Sequence, residues 1–471
     1  MDFINYFISD RSENTFPEKF LYHIWDEQHI KYKDYKAKVL KTISGLDVKI
    51  HFQGHFNTMS GADFKNAIVE IDKKTFTGDV EIHINTSDWY HHQHDTNPAY
   101  NSVILHVVLN HNHLMEITVN ENGDKIEILE LKNIISDDIE KLFKRYSENV
   151  YKIKEKYCSL FSTIRPEFYE SFLLKSGLER LEKKIKRFQA ELSFVSMDQL
   201  FYQSILEAMG YSKNKHQFYL FSKEHKWIGF KQVYGEKKDD YIRSMSNNKI
   251  SSVKSATPIQ NINNSLRDDF IKDIVSKAEF DNKKYNWYLF RIRPCNHPKT
   301  RLYQISPFIF DSFSTSMTTE IVKLFSFTEI DFSIKKFMNR LYEKFSGDLN
   351  PTSDFYHQKK ESNQFTKYKL GKDRINTIVI NIFIPILIIY ANIMNDSSLL
   401  NLCYRIYKDF RGLEENNISQ IMRKYMSEEQ FIISQKKAIY QQGILNIYHK
   451  YCINNLCNMC KENMLVMINQ G

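Results

Sequence analysis

Four short stretches near the start of the chain, residues 46–52, 64–71, 76–84 and 103–109, alternate apolar with polar side chains, and this period of two predicts strands. Ahead of them Phe20, Leu21, Ile24 and Trp25 recur at helical spacing behind Pro17, a residue suited to a first turn, which predicts a helix over 17–27. Residues 86–101 are polar and read as a short helix or an irregular loop. The order is therefore helix, three strands, connection, strand. From about residue 128 the pattern changes. Asp138-Ile139-Glu140-Lys141-Leu142-Phe143 opens a long helical region that runs to about Met209 and stops at Gly210-Tyr211. A Ser/Asn/Lys-rich stretch, 244–264, reads as a loop, and a mainly helical region follows. The division this predicts is an α/β domain at 1–125 with a mixed four-stranded sheet, a helical region with a polar loop at 126–265, and a mainly helical region at 266–471.

The third strand carries the chemistry. In Gly78-Asp79-Val80-Glu81-Ile82-His83, Glu81 and His83 share one face while Val80, Ile82 and Ile84 share the other. Residues i and i+2 of a strand stand roughly 6 to 7 Å apart, so both can face one metal ion and its water. Asp63, in Gly61-Ala62-Asp63, precedes the second strand and supplies a further carboxylate. Asp63 and Glu81 are candidate ligands of Mg²⁺ or Mn²⁺, with His83 orienting or deprotonating water. The same residues also fit a buried hydrogen-bonded network without chemistry.

This arrangement resembles the restriction-endonuclease-like, or PD-(D/E)XK, nuclease core, whose element order is helix, three strands, helix, strand. Asp63 matches its first acid and Glu81-Ile82-His83 its E-x-K element. His83 stands where that family has lysine, and no proline precedes Asp63. A neutral imidazole takes up a proton near pH 7, whereas lysine holds a fixed charge beside a phosphate. The resemblance covers about residues 15–110.

A second resemblance spans nearly the whole chain. Gly61-Ala62-Asp63-Phe64-Lys65-Asn66-Ala67, Gly78-Asp79-Val80-Glu81-Ile82-His83, Ser87-Asp88-Trp89, Pro98-Ala99-Tyr100-Asn101, Glu207-Ala208-Met209-Gly210-Tyr211, Arg291-Ile292-Arg293-Pro294-Cys295-Asn296-His297-Pro298, Gly371-Lys372-Asp373-Arg374 and the terminal Tyr451-Cys452 are similar to the bacterial family designated DUF2851. That resemblance implies one shared scaffold and no particular activity.

His83, His91, His92, His94, His106, His111 and His113 crowd one region of a chain with 16 histidines. Together with Glu81 and Asp63, His83 and His94 would make a mixed site for Zn²⁺, Fe²⁺ or Mn²⁺, although spacings such as H-E-x-x-H are absent. Tyr100 returns toward the strands if residues 97–101 are helical, and could then touch a phosphate or the water. Arg291 and Arg293 share a face if 289–293 is a strand, and would then pair with phosphate or form internal salt bridges. Near the end, Cys452, Cys457 and Cys460, with His449 available, are spaced to hold structural Zn²⁺. Three small apolar residues pinning a terminal helix is the other reading of those thiols.

Bulk properties narrow the picture only modestly. The formal charge of +8 over 471 residues permits a nucleic-acid partner without requiring one, because binding needs the charge gathered on one face. Lys183-Lys184-Ile185-Lys186-Arg187, the densest basic run, reads as a solvated helix face. Residues 375–391 are apolar but shorter than the roughly 20 needed to span a bilayer, and read as a buried central helix. With no secretory signal and scattered cysteines, the expectation is a reduced, cytoplasmic protein off the membrane, its oligomeric state unspecified. The expected function is a divalent-metal-dependent nuclease or phosphodiesterase. The alternatives are a structural or partner-binding protein with a degenerate nuclease-like fold, and a hydrolase of a small phosphorylated metabolite.

Overall fold

The computed structural model describes residues 16–27, 30, 38–57, 60–135, 138–150, 158, 161, 164–211, 213–240, 257–280, 283–326, 332–346, 369–454 and 456–469. The chain forms two compact units, one of residues 1–164 with 447–471, the other of residues 165–446.

The first unit is built on a mixed sheet of eight strands: β1 (Leu40–Lys41), β2 (Asp47–Phe52), β3 (His55–Phe56), β4 (Phe64–Ile71), β5 (Lys74–Asn85), β6 (Val103–Asn110), β7 (Ile117–Val119) and β8 (Lys125–Glu130). Its order is β1-β2-β4-β5-β6-β8-β7, with β3 paired to β4 beside that path. Strands β2, β4 and β5 form an antiparallel meander, whereas β5–β6 and β6–β8 pair in parallel. The expected four-stranded sheet is thus too small. All four expected strands are present as β2, β4, β5 and β6, but β1, β3 and β7 are too short to show a period. β8 lies where the sequence pattern points to the start of helical structure.

Helix α1 (Glu18–Asp26) follows Pro17 and buries Phe20, Leu21, Ile24 and Trp25, as their spacing requires. It packs on β5, as does the short helix α2 (Asp88–His91). Covered in this way, β5 is buried at every position from Asp79 to His83, polar residues included. This is the usual state of a strand with a parallel neighbour, because crossover elements cover both faces. At Gly78 the strands approach closely, for a Cβ there would stand 2.5 Å from the Ser102 carbonyl oxygen. Only glycine lets β5 enter beside the chain that leads into β6.

Helix α3 (Ile139–Val150) follows the sheet, and the terminal helix Cys457–Asn469 packs against it within the same unit. The second unit is helical. Its helix Pro166–Leu192 is followed by Met197–Met209, closed by Gly210, and then by Lys215–Glu224. Of the stretch expected as a loop, residues 244–256 lie outside the described residues. The helix Thr257–Lys277 takes up the rest, so residues 257–264 are helical rather than looped. The apolar segment is continuous helix from Lys372 to Ile393, and 78% of its most apolar window is buried inside the protein. The helix widens to a π turn at Val379–Phe383, just before Pro385, whose missing N–H and ring disturb the regular ladder there.

Candidate metal centre

Asp63 occupies the residue before β4, and Glu81 and His83 sit side by side on one face of β5. The β4–β5 pairing brings the two acids together reciprocally. The Asp63 amide donates to Glu81 Oε2 at 3.0 Å, and the Ile82 amide donates to Asp63 Oδ2 at 3.0 Å. Glu81 also lies opposite His106 in the parallel register with β6. His106 is fully buried, and its Nε2 meets His83 Nδ1 at 2.9 Å.

The connection from β5 to β6 folds back over this strand. It leaves β5 through α2, whose first residue, Asp88, accepts from the Asn85 amide at 2.9 Å. It breaks at Gln93, which takes a left-handed φ of 58°, and then makes two 3₁₀ turns, His94–Thr96 and Pro98–Tyr100. Asn97 caps the second turn by accepting from the Ala99 amide. The result places His92, His94 and Tyr100 at the acids. His94 Nε2 lies 3.2 Å from Glu81 Oε1, His83 Nε2 lies 3.6 Å from the same oxygen, and His92 Nδ1 meets His83 Nε2 at 3.1 Å. Tyr100 stacks on His94 with ring centroids 3.7 Å apart. Among the described residues, one set of three metal-ligating atoms lies mutually within 4.8 Å, and it belongs to His83, His92 and His94.

The electrostatics of the site follow from burial. Asp63 is pushed up to about 7 by loss of solvent and then by the charge of Glu81, opposed by hydrogen bonds from Tyr22 and the Ile82 amide. Glu81 is pushed up to about 8, again first by burial, with the Asp63 amide opposing and Glu18 adding to the rise. His83 is driven down to about 2 by burial and by the neighbouring imidazoles of His106, His94 and His92. Burial likewise takes His106 to about 3. Tyr100 is raised to about 12 by burial and then by Glu81 and Asp63. Acids that resist ionising beside imidazoles that resist protonation are what a divalent cation would reverse, since it favours carboxylate and neutral imidazole together.

Four further residues shape the site without standing out in the sequence. Glu18 and Tyr22, one helical turn apart on α1, both face the acids: Tyr22 hydrogen-bonds Asp63, and Glu18 acts on Asp63 and Glu81 through its charge. On the strands, Lys65 and Asp79 extend the same alternation by one step. Lys65 Nζ pairs with Asp79 Oδ2 at 2.7 Å, and its charge lowers Glu81. Lys65 lies two residues from Asp63 and Asp79 two from Glu81, so the period of two is a usable signal for both. Nothing in the sequence marks Glu18 or Tyr22, because their role depends on how α1 lies on the sheet.

The remaining candidates lie elsewhere. Arg291 and Arg293 belong to the second unit, on an irregular segment rather than a strand. Arg291 has a left-handed φ of 52°, and Arg293 leads directly into the 3₁₀ turn Pro294–Asn296, so the two share no strand face. Both are exposed. The terminal thiols belong to the first unit. Cys452 opens a 3₁₀ turn, and Cys457 and Cys460 begin the last helix. Burial and neighbouring thiols, those of Cys158 and Cys457, raise Cys452 to about 12, and the same influences raise Cys460. Cys158, isolated in the sequence, thus joins the group, while His449 is exposed on the last turn of its helix.

Fold and site together define a mixed-sheet protein with a buried acid–imidazole centre and a helical second unit. The chain belongs to the family described as Protein of unknown function (DUF2851), whose family model matches residues 18–417. No curated protein and no solved structure matches the chain. The matched span contains the acid–imidazole centre and ends before the terminal thiols.

Proposed function

We propose that the first unit is a divalent-metal-dependent phosphodiesterase acting on nucleic acid, built on a restriction-endonuclease-like core. The observation that carries this reading is the direct contact of half-buried Asp63 with buried Glu81 across β4 and β5, two acids both held above their ordinary range. Such a pair calls for a cation. The succession α1, β2, β4, β5, α2, β6 supports it further, since it follows that core's element order with Asp63 at the second of these strands and Glu81 on the third.

In this proposal Glu81 is the shared ligand. Its Oε2 faces Asp63 and its Oε1 faces His94 and His83, so one metal would take oxygen from the acids and nitrogen from the imidazoles. A mixed oxygen and nitrogen set suits Mn²⁺ or Zn²⁺ better than Mg²⁺, which prefers oxygen and water. The bound ion would lower the pKa of its water and polarise a phosphoryl oxygen. His83 has both ring nitrogens within hydrogen-bond reach of other imidazoles and an ordinary protonation far below neutrality, which fits a ligand or relay better than the base that takes the water proton. Lys65 stands on the strand next to Glu81 and supplies the cation that His83 does not.

Incubation with single- and double-stranded DNA and RNA in Mn²⁺ or Mg²⁺, beside Asp63→Asn and Glu81→Gln, tests the proposal. Cleavage should fall at least ~100-fold in either variant, equivalent to about 2.7 kcal/mol of transition-state stabilisation. Cleavage that survives both substitutions, or its absence from the parent protein under all these conditions, would overturn it. The imidazole chain around His83 favours a second reading, a nuclease-like scaffold that binds a partner without cleaving it. Metal binding with no turnover of nucleic acid or small phosphate esters would select that reading.

A further inference from the structure

Three segments far apart in the chain meet in the second unit at the ring of Tyr211. The turn after Gly210 presents Tyr211 in a left-handed conformation, φ 53°, with its side chain partly exposed. The Arg374 guanidinium carbon lies 3.3 Å from the ring centroid, and that of Arg301 lies 4.6 Å from it. Arg301 also donates to the Tyr211 hydroxyl at 2.5 Å, to Asn296 Oδ1 at 2.5 Å and to Gln304 Oε1 at 2.9 Å. Arg374 donates to the Ala208 carbonyl at 3.2 Å.

Every one of these acceptors is neutral. Among the described residues no carboxylate oxygen comes within ion-pair distance of either guanidinium, although Glu414 acts on Arg374 from further off. Arg301 is only 5% exposed, and the Nε atoms of both arginines are buried without an acceptor. Two like charges over one aromatic ring, each with a donor removed from water and unpaired, form an arrangement that an anion would complete. Burial and the nearby Arg301 charge lower Arg374 to about 10, the shift expected of a cation lacking its counter-ion.

We propose that Arg301 and Arg374, gathered on Tyr211, form a phosphate-binding site in the helical unit. Arginine forks match the oxygens of a phosphoryl group, and contact with the aromatic ring holds both guanidinium groups together before the ligand arrives. Arg301 is the buried anchor and Arg374, the less buried of the two, is the entry side. The phosphate could be a free phosphomonoester or one unit of a nucleic-acid backbone. The site is independent of the acid–imidazole centre and of whether that centre cleaves anything.

Titration calorimetry on the full chain at constant ionic strength provides the test, with inorganic phosphate, a nucleoside monophosphate and a short oligonucleotide as separate probes and chloride as the reference. At least one phosphate probe should bind, and Arg374→Gln should weaken it at least tenfold. Arg374→Lys, which keeps charge without the fork, should fall between the two, and Arg423→Gln, remote on an exposed ion pair with Glu428, should change nothing. Tighter binding of the monophosphate would identify a small phosphorylated ligand, and tighter binding of the oligonucleotide a backbone contact. Phenylglyoxal modification of the parent protein, read by mass spectrometry, needs no variant: phosphate should protect Arg374. Absence of phosphate binding beyond chloride, unchanged affinity in Arg374→Gln, or modification of Arg374 indifferent to phosphate would overturn the proposal.

Discussion

The Asp63 amide is a hydrogen-bond donor to the carboxylate of Glu81, at 3.0 Å, so the second acid of the site is held by the backbone of the first. Replacing the Asp63 side chain leaves that bond in place, whereas replacing Glu81 removes a charge that Asp63 feels directly. Glu81→Gln should therefore lower the pKa of Asp63 from about 7 toward the ordinary carboxylate range, on the order of one unit. Carboxyl ¹³C shifts of Asp-labelled protein measure it. An Asp63 titration unmoved by the substitution would show that the Glu81 charge has no part in raising it.

Much of this relationship is legible in the amino-acid sequence. Glu81 and His83 share a face because strands have a period of two, and β4 has the bounds its pattern predicts because Phe64 to Ile71 are flanked by turn-forming residues. Pro98 permits a helical turn that would carry Tyr100 back, and the chain makes a 3₁₀ turn there. What the sequence hides has physical causes. A strand of two or three residues has no period to detect. β8 does alternate, polar and apolar, over Lys125-Ile126-Glu127-Ile128, but its parallel pairing with β6 is a tertiary event that this short alternation does not specify. The meeting of Tyr211, Arg301 and Arg374 depends on helix packing over a long sequence separation, which no local pattern encodes.

The terminal thiols give a metal prediction of their own. Cys452 and Cys460 are held protonated by burial, so a Zn²⁺ ion would have to displace protons to bind, and its affinity should rise with pH. If zinc is resident, purified protein should contain about one zinc per chain beyond any bound at the acid–imidazole centre, lost in a Cys457→Ser, Cys460→Ser double variant. Because the neighbouring thiol is Cys158 and His449 is exposed, Cys158→Ser should reduce zinc retention more than His449→Ala. Metal content unchanged by the double substitution would leave these cysteines as apolar packing for the last helix.

Within the helical unit the Lys183–Arg187 run is not a plain solvated face, because Arg187 turns inward. Its guanidinium reaches Glu191 at 2.8 Å and pairs with Glu207, and all three side chains are buried. Gln203 adds a bond to Glu191. Arg187→Met would strand the buried carboxylates of Glu191 and Glu207 together and should cost at least about 3 kcal/mol of stability. Replacing Arg187 by Met and both Glu191 and Glu207 by Leu should cost less than the single change, because no buried charge is then left unmatched. Thermal and denaturant melts of the three proteins decide the point, and a single variant within about 1 kcal/mol of the parent would show that water reaches the pair.

The acid–imidazole centre also fixes how stability depends on pH and metal. In the folded protein Asp63 and Glu81 hold protons up to about pH 7 and 8, whereas unfolded carboxyls lose them near pH 4. The folded state then binds the extra protons, so these groups stabilise fully at low pH and their contribution is lost as pH rises through about 8. His83 and His106 act in the opposite sense. They are neutral when folded down to about pH 2 and 3 but protonate near pH 6.5 when unfolded, so their contribution grows as pH rises to about 6.5. The two sets offset each other between about pH 4 and 6.5. Above about 6.5 the unfolded imidazoles are more than half deprotonated, and the two acids outweigh them. With excess chelator, the melting temperature of the first unit should therefore decline from about pH 6.5 to about 8.5. Saturating Mn²⁺ should remove that decline by holding both carboxylates ionised, and Asp63→Asn should flatten part of it without metal. A chelated protein as stable at about pH 8.5 as at about 6.5 would mean that Asp63 and Glu81 ionise normally, and the argument for a cation between them would fall with it.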